Sequence, residues 1–237
     1  MKIDLVQPRH IYANPQGIGH VYMPTSLLTV GARLLSADVD VQFYDENIAE
    51  RNGVSNHVGV NLLGAPYIPQ VIKLQERIGA ESANTSFWLG GRVVSGLKPS
   101  EFSHLFGTKT HNGNEDSTLI DVLKIKKVLT PTRKTSLIPS YAKLDDDVLK
   151  QYLSSEFSLY VSQGCKYACD FCAAVRTQRD PLTGKISKVN EEYRDMEIIQ
   201  RDVAYLVNKA QSFGLTKLQL YMSNLDVFQS PVQLERF

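Results

Sequence analysis

The sequence predicts an α/β protein: a parallel, doubly wound sheet followed by the beginning of a second βα unit. Two observations carry this. Short runs of Val, Ile, Leu and aromatic residues alternate at strand period, bounded by Gly, Pro, Asp or Asn. Between them lie stretches whose apolar residues recur at helical period, and strands alternating with helices form βαβ units with parallel pairing. A hydrophobic content of 43% and a net charge of +1 over 237 residues suit a globular chain of one or two domains.

Ile3, Leu5 and Val6 make a short strand ending at Pro8. Pro24 and Thr25 open a helix that turns Leu27, Leu28, Leu34 and Leu35 to an apolar face. Val39 to Tyr44 alternate as a second strand, closed by Asp45-Glu46-Asn47. Val58, Val60, Leu62 and Leu63 form a third, and Pro69 starts a helix with Val71, Leu74 and Ile78 at i, i+3, i+7. Phe87, Trp88 and Leu89 form a fourth strand stopped by Gly90-Gly91. A weak fifth lies near Thr108 to His111, and a helix over Asp116 to Lys126 turns Leu119, Val122 and Leu123 inward. Residues 1–128 therefore read as one domain, and such a sheet binds ligands at the carboxyl ends of its strands.

Residues 129–156, with Pro131, Pro139 and the charged stretch Lys143 to Lys150, read as an interdomain linker with one short helix and a solvated surface. Residues 157–237 start a second unit: Phe157, Leu159 and Val161 form a strand. Ile199, Val203, Leu206 and Ala210 form a helix ending near Gly214, and Leu218, Leu220 and Met222 form the next strand. Ser230-Pro231-Val232-Gln233 has the cap, first-turn proline and glutamine of a helix start. The chain stops at Phe237, before two turns of that helix are complete, so it is expected to be part of a longer protein or to need a partner.

All three cysteines fall within eight residues, Cys165-Lys166-Tyr167-Ala168-Cys169-Asp170-Phe171-Cys172. Structural zinc takes four ligands in C-x-x-C pairs, and a second pair is missing. A disulfide would strand one thiol, and inert core cysteines would be scattered. Three thiolates suit a 4Fe–4S cluster with one iron left open.

The spacing C-x-x-x-C-x-x-C, with an aromatic before the last cysteine and a strand upstream, resembles the signature of the radical S-adenosylmethionine (SAM) enzymes. The resemblance implies that Cys165, Cys169 and Cys172 hold the cluster, that the backbone at Phe171 reads adenine, and that the strand opens a partial TIM-like (β/α) barrel. It points to Ser223, Asn224 and Asp226 as contacts for the SAM amino group, although that segment lacks the paired acids common in the cobalamin class, and each also suits a turn. The N-terminal arrangement is similar to the Rossmann/flavodoxin-like cobalamin-binding domain that precedes the barrel in the cobalamin-dependent class. The likeness rests on Pro24 to Asn47, Val58 to Leu63 and Trp88-Leu89-Gly90-Gly91. Carried over, it marks Asn61, Leu62, Gly90 and Gly91 as cobalamin contacts. The Asp-x-His-x-x-Gly loop of many cobalamin proteins is replaced by Gln7-Pro8-Arg9-His10-Ile11-Tyr12-Ala13, which leaves His10 either to ligate cobalt or to line the site.

The implied activity is SAM cleavage to a 5′-deoxyadenosyl radical by a cobalamin-dependent methyltransferase. Two alternatives stay open: a radical SAM enzyme of cyclising or oxidising outcome with the first domain as scaffold, and a non-catalytic cofactor-binding chain or partner subunit. The resemblance implies a small-molecule or peptide substrate and an electron donor such as flavodoxin or ferredoxin. It identifies neither the substrate nor a catalytic side chain. The near-neutral charge argues against a nucleic-acid partner. The sequence has no 18-residue apolar run for a membrane span, and Met1 to Val6 is too short and too acidic for a signal peptide. A thiolate cluster needs reducing conditions, so the expected compartment is the cytoplasm.

Overall fold

The structure, a computed structural model, describes residues 1–10, 21–53, 55–113, 116–163 and 192–223. Its first part runs β1 (Lys2–Gln7), α1 (Thr25–Ser36), β2 (Asp40–Asp45), β3 (His57–Asn61), α2 (Ile68–Glu81), β4 (Ser86–Gly90), α3 (Arg92–Gly96), α4 (Pro99–Phe106), β5 (Thr110–Asn112) and α5 (Asp116–Val122). The five strands pair in parallel in the order β2-β1-β3-β4-β5. That order places a topological switch between β1 and β3.

The sheet is covered on both faces, which is why β3 reads as a nearly continuous apolar run. On one face Ile3, Leu5 and Trp88 pack with Leu27 and Leu34 of α1 and Leu119 of α5. On the other, Val6, Val60 and Leu89 pack with Val71, Leu74 and Ile78 of α2 and Phe102 and Phe106 of α4. The helices α3 and α4 were not foreseen. They are short and bounded by Gly91, Gly96, Pro99 and Gly107, a pattern that reads locally as loop.

The segment expected as a linker is more structured than its composition suggests. It contains a 3-10 turn (Thr132–Lys134) and two helices, α6 (Ile138–Tyr141) and α7 (Asp146–Ser154). Leu149, Tyr152 and Leu153 form an i, i+3, i+4 stripe hidden among charged neighbours. They join Leu137 and Tyr141 in a third core with Leu28 and Ala32 of α1. The surface reading of Lys143, Asp145, Asp146, Asp147 and Lys150 agrees with their exposure. α1 thus serves two cores, Leu27 and Leu34 toward the sheet and Leu28 and Ala32 toward α6 and α7.

The second part has β6 (Glu156–Tyr160), β7 (Ser162–Gln163), β8 (Glu192–Tyr193), α8 (Met196–Ser212) and β9 (Gln219–Ser223). β6 and β9 pair in parallel, with Phe157 opposite Leu220 and Leu159 opposite Met222. Gly214, at φ +73°, follows the end of α8 as the sequence suggested. β7 and β8 form a two-residue antiparallel ladder, Ser162 opposite Tyr193. It was not foreseen, because two residues carry no period. The expected helix start at Ser230 lies outside the described residues.

Candidate functional site

Parallel pairing in register gathers one end of every strand at a common edge. Gln7 lies opposite Asp45, and Asn61 lies opposite Gly90. The sequence-marked Asn61, Leu62, Gly90 and Gly91 meet here because β3 and β4 end together. The Leu62 N–H donates to the Gly90 carbonyl at 2.8 Å. The Leu62 side chain is fully buried in the core under α2. Only its backbone is therefore at the edge.

Gly91 has φ +111°, a conformation that favours glycine. A Cβ there would lie 2.5 Å from the Leu62 carbonyl oxygen and 3.0 Å from Asn61 Oδ1. The chain's own packing thus demands this glycine. Beside it lies a cavity of about 200 Å³ between the sheet and helices α1 and α5. Asn61, Gly59, Gly90, Gly91 and Gly113 form backbone-rich walls, and Leu27, Trp88 and Leu119 make it largely apolar. The Trp88 indole Nε1 is buried with no hydrogen-bond partner among the described residues. Gln7 Oε1, at the end of β1, is likewise buried and unpartnered among them. The cavity is below the roughly 300 Å³ lower bound of common ligand pockets, so it suits a flat ring or ligand tail rather than a large macrocycle.

On the neighbouring loops, the His10 N–H donates to Asn47 Oδ1 at 2.7 Å, and His10 Nδ1 lies 2.6 Å from the Tyr67 hydroxyl. The Tyr67 and Tyr22 rings meet His10 edge-on, with centroids 5.6 and 6.3 Å away. Asn47 is held in turn by Asp45, whose Oδ1 accepts from the Asn47 N–H at 2.9 Å and from Nδ2 at 2.7 Å. The Tyr152 hydroxyl of α7 donates to Asp45 Oδ2 at 2.8 Å. Burial raises the Asp45 carboxyl above its ordinary range, and the Asn47 and Tyr152 hydrogen bonds oppose the shift. Burial also raises the Tyr152 phenol, with Asp45 adding to the effect. Tyr67 and Tyr152 were missed by the sequence reading. Each is 57 or 107 residues from its partner, and no local pattern links the pairs.

The other expected site residues fall differently. Ser223 is the last residue of β9 and lies opposite Tyr160 in the ladder. Cys165, Cys169, Cys172, Phe171, Asn224 and Asp226 lie outside the described residues. Among the described residues no cluster of three or more His, Cys, Asp or Glu could hold a metal ion. None of the helices there is long and apolar enough to cross a membrane.

The edge, its cavity and the paired strands define the class: a doubly wound parallel α/β unit joined to a second unit with a parallel strand pair. A scan against protein-family models finds no match, and a search of curated proteins finds no similar sequence.

Proposed function

We propose that the chain belongs to a cobalamin-dependent radical SAM enzyme, a methyltransferase in its principal reading. The observation that carries the proposal is the spacing Cys165, Cys169, Cys172, which begins two residues after β7. Three thiolates and no fourth leave one iron of a 4Fe–4S cluster for a substrate or cosubstrate, which separates a reactive site from a closed structural one. Placement supports the reading. In the sequence the cysteine segment follows β6 and β7, and the candidate SAM segment begins at Ser223, the last residue of β9, the parallel partner of β6. In this reading the pair opens a barrel of the TIM-like kind, whose active sites lie at the carboxyl ends of the strands.

The cavity of the first unit offers room for the tail of cobalamin, the corrin lying outside it at the strand edge. The cavity between α1 and α5 accepts a flat group, and the glycines at its rim bring backbone N–H and C=O groups close to a ligand. Asn61, Gly90 and Gly91 would hold the nucleotide tail, with the Leu62 backbone behind them. Gln7 Oε1 and Trp88 Nε1 are buried polar atoms that a ligand's hydrogen bonds would satisfy. Tyr67 and Asn47 fix His10 at the edge where a corrin would lie. When bound, the cluster and SAM supply the radical chemistry, and cobalamin supplies the methyl group. This chain's part is to hold both groups, orient them and exclude water.

The test is anaerobic reconstitution with iron and sulfide, followed by iron and sulfide assays and electron paramagnetic resonance. One 4Fe–4S cluster per chain is expected, lost in each of Cys165→Ala, Cys169→Ala and Cys172→Ala. Stoichiometric tetrahedral zinc in place of iron would defeat the reading. Hydroxocobalamin added to the same chain is expected to bind with a shift of its visible spectrum. Cluster loading without cobalamin binding would favour the non-methylating alternative.

A further inference from the structure

β2 is one of the two edge strands of the sheet among the described residues, β5 being the other. The Asp40 N–H donates to the Met1 carbonyl and the Glu46 N–H to the Gln7 carbonyl, both toward β1. Successive residues of a parallel strand turn their N–H and C=O to opposite sides, so Gln42 and Tyr44 also face β1, while Val41, Phe43 and Asp45 face outward. The Asp45 carbonyl is taken up by the N–H groups of Ile48 and Ala49, both at 2.9 Å. The N–H and C=O of Phe43 have no partner among the described residues.

A free edge is commonly masked by a covering helix or loop. Here α7 and the residues before it provide the cover, but they stand off from the strand. The space between is a cavity of about 390 Å³, the size of a small-ligand site. One wall is four consecutive strand residues, Gln42 to Asp45, and the other includes Leu144, Val148 and Tyr152. Lys143, the cation at the rim, is paired with Asp40 at 3.4 Å. Glu50 shares Arg9 and Arg77 at 3.8 and 3.7 Å. Asp145 is exposed and has no cation partner among the described residues, which leaves the rim acidic.

We propose that this groove binds a short extended peptide, which pairs with the Phe43 backbone as an added strand, seats an apolar side chain against Leu144 and Val148, and turns a basic side chain to Asp145. Edge-strand addition draws affinity from main-chain hydrogen bonds and selectivity from pockets for alternate side chains. The groove supplies both: backbone groups without partners among the described residues, and an apolar wall beside a carboxylate. The proposal is independent of the cluster and cobalamin readings.

The test uses the full chain and three probes: acetyl-Lys-Val-Lys-Val-Lys-amide, the same peptide with N-methylated valines, and its Glu-for-Lys counterpart. Calorimetric titration is paired with residue-resolved hydrogen exchange. The basic peptide is expected to bind and slow exchange of the Phe43 amide at least tenfold. N-methylation, or replacement of Lys by Glu, should weaken binding at least tenfold. Val148→Trp, checked for folding by circular dichroism, should abolish binding by filling the groove. Asp145→Asn, a change at an exposed residue, should weaken binding of the basic peptide and not that of the acidic one. Absence of binding at millimolar peptide, equal affinity for the N-methylated or acidic probe, or protection confined to other strands would overturn the proposal.

Discussion

Each of the two units buries an aspartate–arginine pair, and the two pairs engage different partners. In the first, the Asp4 and Arg51 side chains are 0% and 2% exposed. Asp4 Oδ2 accepts from Arg51 Nε at 2.9 Å and lies 2.6 Å from Nη2, while Oδ1 has no partner among the described residues. Arg51 also donates to the Ser55 carbonyl at 3.3 Å and forms a longer ion pair with Glu81 at 3.8 Å. In the second, Asp202 is fully enclosed and accepts from the Ser136 hydroxyl, the Leu137 N–H and Arg194. Arg194 donates onward to the carbonyls of Tyr160 and Thr135 at 2.9 and 2.8 Å, while its Nε has no partner among the described residues. The first pair lies at one face of one sheet. The second ties α8, the end of β6 and the segment before α6 together. Desolvation offsets much of the attraction in any buried pair, so position rather than net strength is what each contributes. The second pair positions three segments at once.

The largest expected effect follows from that difference. Asp202→Ala leaves a buried guanidinium without its counter-charge and the Leu137 N–H without its acceptor, and should cost about 3–5 kcal/mol in urea unfolding. Asp4→Ala should cost clearly less, because Arg51 keeps a second carboxylate, Glu81, nearby, whereas Arg194 keeps only carbonyl acceptors among the described residues. Equal losses for the two variants would break the comparison.

A smaller change sharpens it. Gly53 packs against the first pair, and a Cβ there would lie 2.2 Å from Asp4 Oδ2 and 2.7 Å from the Tyr44 hydroxyl. Gly53→Ala should therefore destabilise the protein by roughly 1–3 kcal/mol through overpacking. By contrast, a Cβ at Gly79 in α2 meets nothing within 4 Å. Gly79→Ala should stabilise by about 0.5–1 kcal/mol, the ordinary helix preference. Urea midpoints of the two variants moving in the same direction would contradict this local reading.

The smallest effect is one of pH and concerns the first unit. Burial lowers the His57 imidazole below its ordinary 6.5, and the nearby His111 and N-terminal amine add to it. The native state then binds fewer protons than the unfolded state just below that value, so stability rises with pH there. The contribution is complete above 6.5 and is lost as pH falls through the depressed value. Hydrogen exchange should show β1 to β5 loosening on mild acidification before β6 and β9, and His57→Gln should flatten the profile. An unchanged profile in that variant would assign the acid sensitivity elsewhere.

Much of the fold was legible because its signals are local. β1 to β4, α1, α2, α8, β6 and β9 are long enough to show their period, and Gly214 marks the end of its helix. α3, α4, α6 and the β7–β8 ladder are too short for a period to register, and the apolar stripe of α7 was masked by flanking charges. The candidate edge was partly legible for the same reason. Asn61 and Gly90 stand at the ends of two periodic strands, so parallel pairing alone brings them opposite one another.

Sequence by itself determined which residues form strands and helices, that the first sheet is parallel, and that all three cysteines lie within eight residues. These follow from side-chain period and residue chemistry, which act over a few positions. Only the tertiary structure decided that α1 would serve two cores, that Tyr152 would reach Asp45 across 107 residues, and that Gly91 is needed to clear the Leu62 carbonyl. It also decided that α7 stands away from β2 and leaves a groove along an edge that no other described strand pairs with. Contacts between distant segments depend on how whole elements pack, and a local pattern carries the same signal whichever partner the packing brings to it.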